Sequence, residues 1–141
     1  MKTENLTVME AIREELADLC DTGYAFALHI RFTRPAILLR TYDDAWLEEY
    51  SRQGMMIRDP VVIWGMQNSG FVYWYDLPDP EGILTKAKSF GIHNGVTCSV
   101  GPASSRTISG FSRSSGPFST QEAGYFLNLT QKLHDLTADV E

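Results

Sequence analysis

The chain has 141 residues and a mass of 15.8 kDa, the size of one domain, and its 43% hydrophobic residues suffice for a single core. Its apolar stretches are far shorter than the ~20 residues that cross a bilayer, and the N-terminus lacks the apolar region of a signal peptide, so we expect a soluble cytoplasmic protein without a membrane partner. Twelve Lys and Arg against eighteen Asp and Glu give a net charge of −6 with no basic cluster, which argues against direct binding of DNA by this chain.

The first elements in chain order are predicted to be a helix and a strand. Apolar residues recur at spacings of three and four between Leu6 and Cys20, and Thr7 with Glu10 forms a capping-box pattern that marks the helix start. After Gly23 the apolar period changes to two, which predicts a strand. One face of this strand is expected to carry Tyr24, Phe26, Leu28, Ile30 and Phe32, and the other Ala25, Ala27, His29 and Arg31.

A partner strand and two helices are predicted next. The strand at 36–41 is rich in branched aliphatic residues and completes a hairpin. Asp43 or Asp44 can cap the second helix. A third, short helix is expected to begin at Asp59 and Pro60, because aspartate is a good N-cap and proline suits the first helical position.

The rest of the chain completes an α+β fold. A capping box at Ser119 and Glu122 predicts the start of the last helix. Short strands joined by hairpins, with helices at both ends of the chain, predict an α/β/α sandwich around a central antiparallel sheet of about five strands, with a pocket like that of PAS and GAF domains. The remaining elements are expected to be a strand at 71–75, a helix at 82–90, and strands at 96–100 and 106–113.

Large amphipathic aromatic residues are concentrated between positions 42 and 74, together with one acid. A buried Trp or Tyr combines apolar area with a donor that needs a partner, which suits a pocket for an oily ligand with a polar head. Composition alone is equally compatible with a ligand pocket and with ordinary packing of these residues in the core. The residues concerned are Tyr42, Trp46, Tyr50, Asp59, Trp64, Tyr73 and Trp74.

The spacing of these residues resembles a known family. The run Tyr42-x3-Trp46-x3-Tyr50-x8-Asp59-Pro60-x13-Trp74 is similar to the autoinducer-binding domain of LuxR-type quorum-sensing transcription regulators. Segments 23–25 and 90–97 resemble the first strand of that family and its turn from helix to strand. The resemblance covers about residues 17 to 118, with several motifs in the order of the family.

The resemblance implies that the domain binds an N-acyl-L-homoserine lactone between the sheet and one helical layer. In the family, the tryptophan aligned with Trp46 donates to the lactone carbonyl, and the tyrosine aligned with Tyr42 bonds the amide carbonyl. The acid aligned with Asp59 accepts the ligand N–H. A serine or threonine on a late strand often reaches the amide or 3-oxo oxygen, and Ser112 is expected to take that role. Donor-only indole, phenol and acceptor-only carboxylate match the polar groups of such a ligand.

A sleeve of largely apolar residues is expected to hold the acyl tail. Arg40 departs from this apolar character, and it leaves a polar or aromatic acyl group open because its stem can lie on apolar surface while its guanidinium binds an oxygen. The expected wall residues are Leu38, Arg40, Tyr50, Ile57, Val61, Val62, Trp74, Ile83, Ala87 and Ile92.

The resemblance also implies partners for this chain, and other functions stay open beside it. It implies a homodimer, and DNA binding only through a C-terminal helix-turn-helix domain that this chain is expected to lack. The alternatives are a PAS- or GAF-like sensor of another small molecule, and a short stand-alone protein that sequesters signal or forms inactive dimers. We expect no enzyme, because Cys98 with His93 or His29 lacks an acid at a telling spacing. We also expect no metal site, because His29, His93 and His134 are widely separated on different elements, and no cofactor.

Overall fold

The computed structural model describes residues 3–141, in which five α-helices and five β-strands follow the predicted order. All paired strands are antiparallel, in the order β2-β1-β5-β4-β3. Short 3-10 helices follow α2 and β3, at Met55–Arg58 and Trp74–Asp76. Among the described residues, no helix has the length and apolarity needed to cross a membrane. The elements are α1 (Thr3–Leu19), β1 (Gly23–Arg31), β2 (Arg34–Arg40), α2 (Asp44–Arg52), α3 (Pro60–Gln67), β3 (Gly70–Tyr73), α4 (Ile83–Ser89), β4 (Val96–Val100), β5 (Arg106–Ser112) and α5 (Thr120–Leu136).

Two helical layers cover the sheet, which confirms the predicted α/β/α sandwich. Helices α1 and α5 pack on one face, where Leu16, Phe26 and Phe126 are almost completely buried. The rings of Phe111 and Phe126 stack with centroids 4.2 Å apart and tie β5 to α5. Helices α2 and α4 supply a second, smaller apolar cluster centred on Trp46, on the side of the sheet that holds a cavity.

Strand β1 contains an irregularity that the sequence pattern did not predict. Its pairing with β5 shifts register between Ala27 and Ile30, and His29 has a φ of 54°. Ile30 therefore lines the cavity together with Ala27, whereas His29 is buried on the opposite face and stacks on His134 of α5 at 4.2 Å. The predicted assignment of faces is wrong beyond Leu28, because a bulge reverses the alternation of side chains.

Helix starts were predicted with mixed success. The capping box of Ser119 and Glu122 is present at α5, and the side chain of Asp59 caps α3 as expected. The capping box predicted at Thr7 is wrong, because α1 already includes Thr3, the first described residue. The Thr7 hydroxyl lies inside this helix and donates to the Thr3 carbonyl at 3.3 Å.

Candidate functional site

A cavity of about 390 Å³ lies between the sheet and the layer formed by α2, α3 and α4. The strands below it carry Ala25, Ala27 and Gly110, whose small size leaves space above the sheet. Its volume falls in the usual range for small-molecule sites. Every predicted site residue except Ser112 lines it: Leu38, Arg40, Tyr42, Trp46, Tyr50, Ile57, Asp59, Val61, Val62, Trp74, Ile83, Ala87 and Ile92.

Trp46 brings a donor to one end of this cavity. The Asp43 side chain caps α2 by accepting from the Ala45 N–H at 2.8 Å, and Trp46 follows in the first turn. The indole is 6% exposed and packs against Tyr50 and Phe90, with ring centroids 5.7 and 5.4 Å away. Within residues 3–141 its N–H has no hydrogen-bond partner. Every fully buried side-chain nitrogen and oxygen of the described residues has a partner, so the unpartnered indole N–H is not sealed off and is available to a ligand in the cavity that Trp46 lines.

Tyr42 brings a hydroxyl to the same end. A Cβ atom at Gly23 would lie 2.5 Å from Tyr42 Cδ1, so the ring rests on the bare backbone of β1. A Cβ at Gly110 would lie 3.2 Å from the hydroxyl. In the part of the chain that the structure describes, this hydroxyl has no hydrogen-bond partner. Burial and the nearby Asp59 charge raise the pKa of Tyr42, which keeps the phenol protonated and able to donate.

Asp59 supplies the acceptor. Its Oδ1 accepts from the Val61 N–H at 2.9 Å and its Oδ2 accepts from the Tyr50 hydroxyl at 2.8 Å. Burial raises the pKa of Asp59, while these two donors act in the opposite direction. A carboxylate has about four lone-pair sites, so it can accept further hydrogen bonds from a ligand. Tyr50, predicted as a wall residue, thus also orients the acid.

Trp74 forms a wall without a free donor. The strand predicted at 71–75 ends at Tyr73, and a 3-10 turn begins at Trp74. The indole N–H donates to Thr97 Oγ1 at 3.0 Å. A Cβ at Gly95 would lie only 2.0 Å from Trp74 Cδ2, so the ring position depends on that glycine.

Ser112 lies at the far end of β5, outside the cavity lining. Its hydroxyl donates to the Gly23 carbonyl at 3.3 Å and shares a 2.7 Å hydrogen bond with Thr22 Oγ1. Gly110, two residues earlier on the same face of the strand, is the residue that borders the cavity. Strand alternation alone shows that both positions face the same way, but it does not show how far the layer of α2, α3 and α4 extends along β5.

Sequence reasoning also missed much of the floor and mouth of the cavity. The small residues Ala25 and Ala27 alternate with large ones along β1, a signal that could have identified a floor. The mouth is apolar and open, because Phe32 and Ile57 line it while 97% and 77% exposed. The further lining residues are Ile30, Thr33, Pro35, Leu47, Met56, Met66, Leu84, Ile108, Ser109 and Gly110.

The height of the cavity depends on how α3 sits on the sheet. The Gly65 carbonyl of α3 accepts from Ser99 Oγ at 2.6 Å and from Arg106 Nε at 3.0 Å. Arg106 also donates to the carbonyl of Asn68. A Cβ at Gly65 would lie 2.6 Å from Ile108 Cδ1, so the helix approaches β5 closely at this point. Arg106 is buried and holds the C-terminal end of α3 in place.

The grouping and the pKa of the described residues bear on the requirements of a metal site and of a reactive thiol. Over residues 3–141, no group of three or more His, Cys, Asp or Glu side chains is placed to hold a metal ion. Burial raises the pKa of Cys98 to about 12, so its thiol stays protonated at neutral pH. The cavity lining offers hydrogen-bonding groups and apolar surface.

Comparison with known proteins identifies a family model. The model for the autoinducer binding domain matches residues 7–136. No curated protein sequence matches the chain. The family match covers nearly the whole chain, including every residue found in the cavity.

Solved structures with the same fold include SdiA and CepR2. The crystal structure of Escherichia coli SdiA has a TM-score of 0.73 and 22% identity, and covers 99% of this chain and 63% of that one. SdiA in complex with octanoyl-rac-glycerol has a TM-score of 0.72 and 22% identity, covering 99% and 61%. The N-acylhomoserine lactone dependent LuxR family factor CepR2 from Burkholderia cenocepacia has a TM-score of 0.67 and 16% identity, covering 99% and 96%. The chain thus spans less than two thirds of the SdiA chains.

Proposed function

The chain belongs to the autoinducer binding domain family, and from this premise we propose that it is the signal-binding domain of a LuxR-type transcription regulator whose signal is an N-acyl-L-homoserine lactone. The polar end of the cavity carries the proposal. Two donors without protein partners, on Trp46 and Tyr42, line the same cavity as the buried acceptor Asp59. The Tyr50 hydroxyl donates to Asp59 at 2.8 Å, the Tyr50 ring lies 5.7 Å from that of Trp46, and Tyr42 packs against the same cluster, so these groups can engage one ligand head.

The polar groups of such a ligand match this set. An acyl-homoserine lactone has one N–H donor and several carbonyl acceptors. We assign the lactone carbonyl to the Trp46 N–H, the amide carbonyl to the Tyr42 hydroxyl and the amide N–H to the Asp59 carboxylate. Each neutral hydrogen bond contributes about 0.5–1.5 kcal/mol and each charged one about 1.5–3 kcal/mol, so the head alone supplies substantial specificity.

The apolar remainder of the cavity suits an acyl tail. Val61 and Val62 of α3, Ile83 and Ala87 of α4, and Ile92 contribute apolar surface to its lining. Burial of one CH₂ group contributes about 0.8 kcal/mol, so affinity should grow with chain length inside this sleeve. The neighbour SdiA has been solved with octanoyl-rac-glycerol, which also joins a polar head to an acyl chain.

The proposed role is regulatory binding in the cytoplasm, without a catalytic step. We propose that the bound signal controls homodimerisation, and that DNA is contacted through a helix-turn-helix domain of the regulator. The family match favours this function over a PAS- or GAF-like sensor of another molecule. A stand-alone protein that sequesters signal remains the second alternative, and no observation favours it.

Calorimetric titration with N-octanoyl-L-homoserine lactone tests the proposal, with the ring-opened N-octanoyl-homoserine as ligand control. Trp46→Phe keeps an aromatic ring in the cluster but removes the N–H, and should weaken binding about threefold to tenfold. Trp64→Phe is the matched control, because Trp64 lies on α3 outside the cavity lining. Equal affinity for both ligand forms, or an equal loss in the two variants, would contradict the assignment.

A further inference from the structure

Arg40 is the one cationic residue in the cavity lining of the described chain. The one anionic residue there is Asp59, at the polar end. Most of the remaining lining is aliphatic or aromatic. Arg40 is exposed in the free domain, so its guanidinium can be hydrated there. An apolar chain that covered the guanidinium would gain nothing from the charge and would remove part of that hydration.

The guanidinium of Arg40 has no ion-pair or hydrogen-bond partner within residues 3–141. Most other arginines in that range are paired, as in the contacts of Arg58 with Glu81 at 2.9 Å and of Arg113 with Glu122 at 2.7 Å. Arg34 shares the lack of a partner, but it lies outside the cavity lining. Arg40 thus combines free donors with a place in the cavity.

The position of Arg40 along the cavity is set by strand β2. Leu38, Arg40 and Tyr42 follow one another at every second residue, and all three line the cavity. The Thr41 N–H donates to the Tyr24 carbonyl at 3.0 Å, so the chain stays paired with β1 as far as Thr41, the residue before Tyr42. Two residues along a strand span roughly 7 Å, which places Arg40 between the polar head site and the apolar mouth.

The surroundings of Arg40 leave room for a ligand. Its partner across the strands is Ala25, a small residue of the cavity floor. Its charge is close enough to Tyr50 to oppose the rise in the pKa of that phenol. With the amide of a ligand held at Tyr42 and Asp59, the first carbons of the acyl chain would pass within reach of the guanidinium.

We infer that Arg40 makes this receptor select acyl chains that carry an acceptor oxygen within the first few carbons from the amide. A guanidinium offers five N–H donors and no acceptor, so a keto or hydroxyl oxygen there is its natural partner. An unsubstituted chain leaves these donors to solvent. This inference rests on the proposed function and adds the class of acyl chain to it.

A matched pair of ligands tests the inference by calorimetry: N-octanoyl- and N-(3-oxooctanoyl)-L-homoserine lactone. The wild-type chain should bind the 3-oxo form about tenfold more tightly, a ratio that corresponds to about 1.4 kcal/mol. Arg40→Met keeps a long apolar stem without donors and should bring the ratio of the two dissociation constants close to one. Arg34→Met is the control and should keep the wild-type ratio.

Two results would overturn the inference and leave the proposed function standing: equal affinities of the wild-type chain for both lactones, or a wild-type ratio retained in Arg40→Met. Binding of neither lactone by the folded wild-type chain would instead contradict the proposed function itself. Circular dichroism of each variant establishes that the compared proteins are folded.

Discussion

At the scale of single residues, Asp59 serves both the fold and the proposed site. One carboxylate oxygen caps α3 through the Val61 N–H, and the other accepts from the Tyr50 hydroxyl. Burial raises the pKa of this acid, so the free domain holds a charge in an unfavourable environment. A ligand N–H would add a third donor and stabilise that charge.

Asp59→Asn should lower affinity for an acyl-homoserine lactone at least about tenfold and leave the fold intact. The amide keeps an oxygen that can cap α3, but its NH₂ group is a donor and competes with the ligand N–H.

The same variant should also change the stability of the free domain. Because the pKa of Asp59 is higher in the folded than in the unfolded state, the stability that protonated Asp59 contributes is lost as the pH rises through the folded pKa. The free variant should therefore be as stable as wild type at neutral pH, or more so. Calorimetry and urea unfolding measure both effects, and wild-type affinity in the variant would remove Asp59 from the site.

Ligand affinity should also depend on pH through Asp59. The ionised carboxylate is the better acceptor for the ligand N–H, so affinity should be highest above the raised pKa and decrease as the pH falls through it. Dissociation constants measured from neutral pH downward, over the range in which the domain stays folded, check this. The profile should be flatter in Asp59→Asn, and parallel profiles in the two proteins would assign the titration to another group.

Gly95 is expected to be intolerant of a side chain. A Cβ would lie within 2.0–2.2 Å of three Trp74 ring atoms, so Gly95→Ala must displace the cavity wall and should destabilise the domain by about 1–3 kcal/mol. Gly124→Ala is the control, since nothing lies within 4 Å of its Cβ position in α5, and alanine there should stabilise the helix by about 1 kcal/mol. Urea unfolding measures the stability of both variants. An unchanged free energy of unfolding in Gly95→Ala would contradict the close packing of Trp74.

At the scale of elements, α3 matters most, because its position sets the height of the cavity. Arg106→Met would leave the Gly65 and Asn68 carbonyls without their cationic donor, and should reduce the free energy of unfolding by about 3 kcal/mol. Arg52→Met is the control, because its ion pair with Glu49 lies at the surface and should contribute less than about 1 kcal/mol. Equal losses in urea unfolding would show that Arg106 does not hold α3.

The sequence predicted the elements better than their irregularities. Period-two and period-three-to-four patterns located the strands and helices, because burial of one face imposes them. The bulge at His29 escaped notice, since the stabilising contacts with Ser105 and His134 come from distant parts of the chain. Thr7 was misread as a cap because an isolated motif does not reveal a helix that begins earlier.

At the scale of the whole molecule, the predicted site residues come together from separate elements because the fold leaves a gap above small residues. The spacing of Tyr42, Trp46 and Asp59 identified the polar end through the family resemblance, and all three line the cavity. Ser112 was predicted as the site residue of β5, but Gly110 is the one that lines the cavity. How far the helical layer covers β5 depends on the position of α3. Sequence patterns do not specify such distances between layers.

Thermal melting of the chain with acyl-homoserine lactones of short, long and 3-oxo acyl groups tests the central claim most directly, with the ring-opened forms as controls. A ligand that binds only the folded state adds about 2.7 kcal/mol of stability at a hundred times its Kd, which corresponds to a rise in Tm of about 10 °C for a domain of this size. The account predicts such a rise with intact lactones, largest for one class of acyl chain. No rise with any lactone, in protein shown to be folded, would contradict it.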